Sequence, residues 1–353
     1  MSKIRFAIVG AGFRTAYFVR TAQLLKEQME VTGILVRSEE KKQKAEAAYS
    51  VPAYLTYEEL LADKPDFVVV SVNRWDNAKV VLNLLKQGIA VLAETPAADE
   101  VCELEEMWKL HKAGAKLQVA EQYFLYPSYE AKLKILHSGA IGQVHNITLS
   151  AIHEYHGLSI IRQALSEGCK NCTVAAKEYK WNVAQTQNRA NELVKTGAEN
   201  PSGRVKATFE FEDGKVAFYD FDYTQYNSHI REKLFWAQGS RGEIFNNTVR
   251  WLNEDNDPMT EVLTPSCGGA FPGVENIAFA GKSVYRNPFA ANTLPEDETA
   301  IARMLLGMKN YVDGGKEIYP LEDALQDAYL TTLLKKAIET GETVTSESQI
   351  WVE

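Results

Sequence analysis

From residue 4 to about residue 120 the sequence alternates β-rich runs with amphipathic helical stretches, and this alternation leaves few folds open. "IRFAIVG" (4–10) reads as a strand and "RTAYFVRTAQLLKEQ" (14–28) as a helix. "MEVTGILVR" (29–37) is a second strand, followed by the charged helix "EEKKQKAEAAY" (39–49). The helix "YEELLADK" (57–64), the strand "DFVVVSV" (66–72), the helix "NAKVVLNLLKQG" (77–88) and the strand "IAVLAET" (89–95) continue the pattern. The helix "VCELEEMWKLHKAG" (101–114) and the strand "AKLQVAEQY" (115–123) complete it. Strands taken in strict turn with helices need right-handed crossovers, which predicts a parallel, doubly wound sheet. Gly88 stands where a helix must stop before the next strand.

The rhythm then changes. "SYEAKLKILHSGAIG" (128–142) predicts a helix and "QVHNITLSAIH" (143–153) a strand. "RVKATFEFEDGKVAFYDFDYTQY" (204–226) has a hairpin signature around its "EDG", and "KLFWAQGSRGEIFNNTVRWLN" (233–253) reads as two or three antiparallel strands. Residues 254–292 are rich in Gly, Pro, Asn and Ser and are expected to be long loops. Two helices, "EDETAIARMLLGMKNYVDG" (296–314) and "LEDALQDAYLTTLLKKAIETG" (321–341), follow. A chain of 353 residues exceeds one ordinary domain. The expectation is an α/β protein with a doubly wound, Rossmann-type domain over 1–122. An α+β domain with a mainly antiparallel sheet, one face of which meets helices or another subunit, takes 123–353.

Composition removes several classes of function. A net charge of −9 argues against binding nucleic acid or a basic membrane-facing surface. The longest apolar runs are strand-sized, and the N-terminus lacks a signal-peptide pattern. Of the four cysteines only Cys169 and Cys172 form a CxxC, with no second pair or neighbouring histidine to complete a zinc site. They read as free thiols in a reduced, cytoplasmic protein, and no metal is expected.

"IVGAGFRT" (8–15) supplies Gly10-x-Gly12-x-x-Thr15 between the first strand and the first helix, the context a dinucleotide fingerprint requires. Gly10 permits the tight turn, and Gly12 lets the backbone approach a pyrophosphate at the helix N-terminus, beside Phe13 and Arg14. Thr15 replaces the third glycine. The second strand ends in "LVRSEE" with no carboxylate before Glu39. Arg37 followed by Ser38 suits a 2′-phosphate, so NADP is expected ahead of NAD. Asn73 and Trp75, at the tip of "SVNRWDN" (71–77), are expected near the nicotinamide half.

With these landmarks in place, the sequence resembles the Gfo/Idh/MocA family, of the glucose–fructose oxidoreductase and inositol dehydrogenase type. "IVGAGFR", "NAKVVLNLLKQGIAVLAETPAA", "EQYFLYPSYEAKLKILHSGAIGQVHNI", "GSRGEI" and "KKAIETGETV" carry the likeness in order along nearly the whole chain. The resemblance implies a substrate held between a Rossmann domain and a sheet-bearing domain, and self-association through that sheet. It also implies a catalytic lysine in a Glu-Lys-Pro motif, where this chain has Glu94-Thr95-Pro96. A threonine hydroxyl stays protonated at any working pH, so Thr95 is no base, although it can hydrogen-bond substrate or cofactor. The family's histidine falls on His156, while its two aspartate positions hold Ile152 and Ser159.

"HEYH" (153–156) packs four polar residues into one junction. Read as extended strand, it puts His153 and Tyr155 on one face and Glu154 beside His156 on the other. That makes His156, with Glu154 or Tyr123, the expected acid/base group, and His153 and Tyr155 substrate contacts. Tyr226, His229 and Arg231 are further substrate candidates against the alternative of a polar strand edge. Three functions compete: an NAD(P)-dependent oxidoreductase on a sugar, cyclitol or related polyhydroxy compound; an epimerase, lyase or glycosidase that retains its cofactor; and a non-catalytic dinucleotide or sugar sensor.

Overall fold

The computed structural model describes residues 3–188, 192–267, 273–289 and 294–352. Its first layer runs β1 (Ile4–Val9), α1 (Phe13–Leu24), β2 (Met29–Leu35), α2 (Glu39–Tyr49), β3 (Ala53–Tyr54), α3 (Tyr57–Leu61), β4 (Phe67–Val70), α4 (Arg74–Lys86), β5 (Val91–Ala93), α5 (Val101–Lys112) and β6 (Leu117–Val119). The six strands are parallel in the order β3-β2-β1-β4-β5-β6, the doubly wound Rossmann order. Strand alternation divides the core. Phe6, Ile8, Phe67 and Val69 pack to one side with Phe18 of α1, while Ala7, Val9, Val68 and Val70 pack to the other with Val81 and Leu104 of α4 and α5. Gly88, with φ of 75°, closes the turn after α4 as anticipated.

The second layer continues with α6 (Pro127–His137), β7 (Val144–Ser150), α7 (Glu154–Leu165), β8 (Cys172–Ala184), β9 (Glu199–Phe211), β10 (Val216–Asp222), β11 (Leu234–Gly239), β12 (Gly242–Phe245) and β13 (Thr248–Leu252). Then come β14 (Pro258–Val262), β15 (Ser266–Cys267), β16 (Val274–Phe279), β17 (Lys282–Arg286), α8 (Glu296–Val312), α9 (Leu321–Thr340) and β18 (Val344–Thr345). Nine strands form one sheet, β14-β13-β12-β11-β7-β10-β9-β8-β18, antiparallel except where β7 meets β10. Its inner row, Phe209, Ala217, Ile147, Ala237, Ile244 and Val249, is fully buried. Helices α7 and α9 pack together beside it, and α8 returns to lie against α1 and the first sheet.

Residues 268–272 and 290–292 lie outside the described residues, and the described residues of 254–292 differ from their reading as loops. They contribute β14 to the large sheet and build a separate three-stranded sheet from β15, β16 and β17. Composition misled because the strands are short and the polar residues sit on exposed faces and in the turns between them. The long strand β8 also gave no clear alternation in sequence, since much of it is exposed.

Candidate functional site

The glycine loop forms a cradle at the carboxyl edge of the first sheet. Gly10 has φ of 107°, and a Cβ there would stand 2.1 Å from the Ser71 carbonyl oxygen, so no other residue fits. Gly12 begins α1 in extended conformation with no side-chain cap, and a Cβ there would occupy nearly open space. The first turn of α1 carries no acidic residue. An uncapped helix end with close backbone access suits a pyrophosphate. Thr15 ties the loop from behind, its hydroxyl donating to the Gly10 carbonyl at 3.1 Å and standing 3.3 Å from the Ser71 hydroxyl. Phe13 opens α1 and Trp75 lies in the first turn of α4, and they are 70% and 86% exposed.

Arg37 and Ser38 have partners that the sequence did not disclose. The Arg37 guanidinium pairs with the Asp76 carboxylate, which raises its pKa through that contact. Ser38 caps α2 by accepting from the Lys41 N–H at 3.3 Å. Asn73 caps α4, accepting from the Asp76 N–H at 3.1 Å and donating to its carboxylate at 2.6 Å. A carboxylate therefore stands beside Arg37 after all, contributed by α4 instead of β2.

β5 delivers Glu94 and Thr95 to the same edge. The buried amide of Asn77 donates to the carbonyls of Glu94 at 3.0 Å, Pro96 at 2.9 Å and Ala97 at 3.3 Å, which fixes the turn. Arg14 Nε donates to Glu94 at 3.1 Å. Burial works to lower the Arg14 pKa, but Glu94 outweighs it and the guanidinium is held charged.

Thr95 faces His156 across the junction between the two layers, with Oγ1 to Nε2 at 3.3 Å. On the far side of the ring, Nδ1 is in close contact with a Glu121 carboxylate oxygen. The other Glu121 oxygen accepts from the Tyr123 N–H at 2.9 Å, and the side chain is completely buried. A carboxylate only accepts, so this contact selects the tautomer with its proton on Nδ1 and a lone pair on Nε2. Glu121 is the residue that sequence reasoning missed. The available signal was its position two residues past a parallel strand, at the edge where α/β sheets hold ligands.

The expected arrangement of "HEYH" is corrected by the structure. His153 caps α7, and Glu154, Tyr155 and His156 form its first turn, so helical spacing replaces strand alternation. Glu154 does not stand beside His156. It lies near Arg74 at 3.5 Å and Lys335 at 3.8 Å. Its φ of 34° is strained for a non-glycine residue, and its N–H is held by the Tyr219 hydroxyl at 2.7 Å. Tyr155 points into the core, 2% exposed.

A second polar chain joins Tyr123, Tyr226 and His153. Tyr226 Oη accepts from Tyr123 Oη at 3.3 Å and from the His153 N–H at 3.1 Å, so its own proton goes to His153 Nδ1 at 2.8 Å. Burial, with His156 and Arg74 adding to it, pulls the His153 pKa down to about 3 and keeps the ring neutral. Its remaining N–H belongs to a ring that lines a cavity of about 440 Å³ together with Glu154, Glu178, Phe221, Tyr223, Tyr226 and Lys335. His229 and Arg231 lie apart from this group. His229 is exposed with its N–H on Thr186 Oγ1, and Arg231 pairs with Asp222 at 3.1 Å.

Among the described residues no group of three or more His, Cys, Asp or Glu is arranged to hold a metal. Cys169 and Cys172 are free, their pKa values raised by burial to about 11 and about 12. No helix among the described residues is long and apolar enough to cross a membrane.

Residues 4–121 match the family described as GFO_IDH_MocA, oxidoreductase family, NAD-binding Rossmann fold. The N-terminal layer is thus similar to the Rossmann domain of the Gfo/Idh/MocA family. Within curated proteins, dehydrogenase aclE of Aspergillus oryzae (strain ATCC 42149 / RIB 40) is 30% identical over 157 residues, 41% of this chain and 43% of that protein. The match thus spans under half the length of that relative. Solved structures at 16% identity share the fold along nearly the whole chain. A levoglucosan dehydrogenase in complex with NADH and levoglucosan superposes with a TM-score of 0.71, covering 98% of this chain and 100% of that one. An oxidoreductase from Agrobacterium radiobacter in complex with NAD+, L-tartaric acid and magnesium has a TM-score of 0.70 and coverage of 97% and 98%. An NAD-binding oxidoreductase from Klebsiella pneumoniae also has a TM-score of 0.70, with 99% and 100% covered.

Proposed function

We propose that this protein is a nicotinamide-dependent oxidoreductase that oxidises a secondary alcohol of a sugar, cyclitol or related polyhydroxy compound. The observation that carries the reading is the Glu121–His156–Thr95 line, a buried carboxylate orienting an imidazole whose free nitrogen faces the edge of the dinucleotide cradle. The dinucleotide would be held by the Gly10–Gly12 loop and the start of α1, with Asn73, Trp75, Glu94 and Thr95 near its nicotinamide end. When bound it supplies the hydride acceptor. The chain's own task is to remove the hydroxyl proton, and His156 takes that role with Glu121 stabilising the imidazolium that results.

The cavity beside His153 suits a polyhydroxy ligand. Aromatic faces from Phe221, Tyr223 and Tyr226 meet carboxylates of Glu154 and Glu178 and the neutral imidazole of His153. Such a lining offers hydrogen-bond donors, acceptors and stacking surface together. For the cofactor, NAD is the reading that the Arg37–Asp76 pair favours, because the Asp76 carboxylate would repel a 2′-phosphate. We also infer self-association through the outer face of the nine-stranded sheet.

A fluorescence titration with NADH and NADPH, followed by a screen of sugars and cyclitols for reduced-nicotinamide absorbance, tests this. Saturable NADH binding with turnover of at least one polyol, lost in His156→Ala, is the expected result. Binding without turnover on any polyol would favour the sensor reading, and binding of neither dinucleotide would remove the oxidoreductase and leave a sugar sensor.

A further inference from the structure

The Glu121–His156 pair leaves one question that the oxidoreductase reading does not answer: how a substrate hydroxyl reaches the base. His156 is only 8% exposed. Its ring is hemmed by those of Tyr123, His153 and Tyr155, with centroids at 4.6, 5.0 and 5.6 Å. Glu121 closes the Nδ1 side. The polar atom on the Nε2 side is Thr95 Oγ1, and Thr95 is the more exposed of the two residues, at the open edge of the first sheet. Thr95 is also rigid, since Asn77 pins the carbonyls on both sides of it.

We propose that Thr95 is a proton relay, the group that touches the substrate and passes its proton inward to His156. This rests on the oxidoreductase reading and deepens it. As the carbinol C–H bond breaks and its hydride leaves for the bound nicotinamide, the substrate O–H proton transfers to Thr95 Oγ1. In the same step the original Thr95 proton transfers to His156 Nε2. The products are a ketone, a reduced nicotinamide, an unchanged threonine hydroxyl and an imidazolium facing Glu121. Thr95 never needs to ionise, so its high intrinsic pKa is no obstacle. A hydroxyl that donates to a lone pair while accepting a proton does what the short reach of threonine permits and what a lysine at this position would do by another route.

Three full-length proteins decide the matter: wild type, Thr95→Ser and Thr95→Val. Saturable NADH binding by fluorescence is expected in all three, which shows the fold and cradle intact. Thr95→Ser keeps kcat within about 3-fold, whereas Thr95→Val loses at least ~100-fold in kcat, on the scale of general acid–base catalysis. In NMR of 15N-labelled histidine, the His156 Nε2 resonance moves in Thr95→Val and stays in Thr95→Ser, because only the valine removes the donor. An active wild type with an equally active Thr95→Val, or an unmoved Nε2 resonance, overturns the relay alone. A wild type that binds NADH and oxidises no polyol overturns the oxidoreductase reading and the relay with it.

Discussion

At the scale of single residues, the site depends on hydrogen-bond direction more than on which residues are present. Glu121 holds His156 in one tautomer because a carboxylate only accepts. An amide at the same place can donate to Nδ1, which would put the proton on Nε2 and remove the lone pair that faces Thr95. Glu121→Gln is therefore expected to lower kcat by about 10²–10⁴-fold, with NADH affinity unchanged. Steady-state kinetics beside a binding titration check this, and an unimpaired kcat would sink the positioning role. His153 gives a second residue-scale expectation. Its pKa falls from an ordinary 6.5 to about 3, through burial first and then through His156 and Arg74. The unfolded chain therefore takes up a proton that the folded chain refuses, so stability present above pH 6.5 is lost as pH falls toward 3. The loss approaches ~1.4 kcal/mol per pH unit from this group. Urea unfolding at pH 7 and pH 5 should show a smaller difference in His153→Gln than in wild type. Sequence could name His156 and suspect a carboxylate partner, but Glu154 was the neighbour in sequence while Glu121 is the neighbour in space. A helix starting one residue after His153 turned the expected faces away from each other.

At the scale of elements, α7 has to be held firmly for His156 to keep its place. Arg162, on the same helix and 2% exposed, donates to Asp327 at 2.7 Å and Asp323 at 2.6 Å on α9 and also to the Gly168 carbonyl. Tyr319 Oη donates to the second Asp327 oxygen and stands 3.2 Å from the Ser159 hydroxyl, so the buried carboxylate is well satisfied. Removing the arginine leaves Asp327 buried without its cation. Arg162→Met is expected to cost about 3–5 kcal/mol, and Arg162→Met with Asp327→Leu to recover part of it. Denaturant unfolding of the two variants would reveal this, and equal losses would mean that packing outweighs charge. Long periodic elements such as α5, α8 and α9 were legible because their apolar positions recur at helical spacing. The short strands β14 to β17 were not, since their pairing depends on partners distant in sequence and their composition reads as turns.

At the scale of the whole molecule, the nine-stranded sheet has two unlike faces. The inner row is buried under helices, while the opposite row runs Ala175, Thr208, Phe218, Thr148, Trp236, Phe245, Thr248 and Val262 across eight strands. Phe218 is 46% exposed, Phe245 42% and Val262 59%, so a continuous band with apolar groups lies open on one chain. Such a band is better covered than left in water. Among the described residues the helices are already engaged on the inner face or on the first sheet, so the cover would come from the second copy that the proposed self-association supplies. In the proposed self-association two identical faces would meet about a twofold axis, so each phenylalanine would act twice in the contact. Phe218→Glu with Phe245→Glu places four carboxylates in a symmetric interface without touching the core. Light scattering after size exclusion is expected to give a dimer or larger for wild type and a monomer for the double variant, with matching circular dichroism. NADH binding should persist in the monomer, because the cradle lies on the other sheet. A wild-type monomer at micromolar concentration would remove the second copy and leave the band open for a different partner.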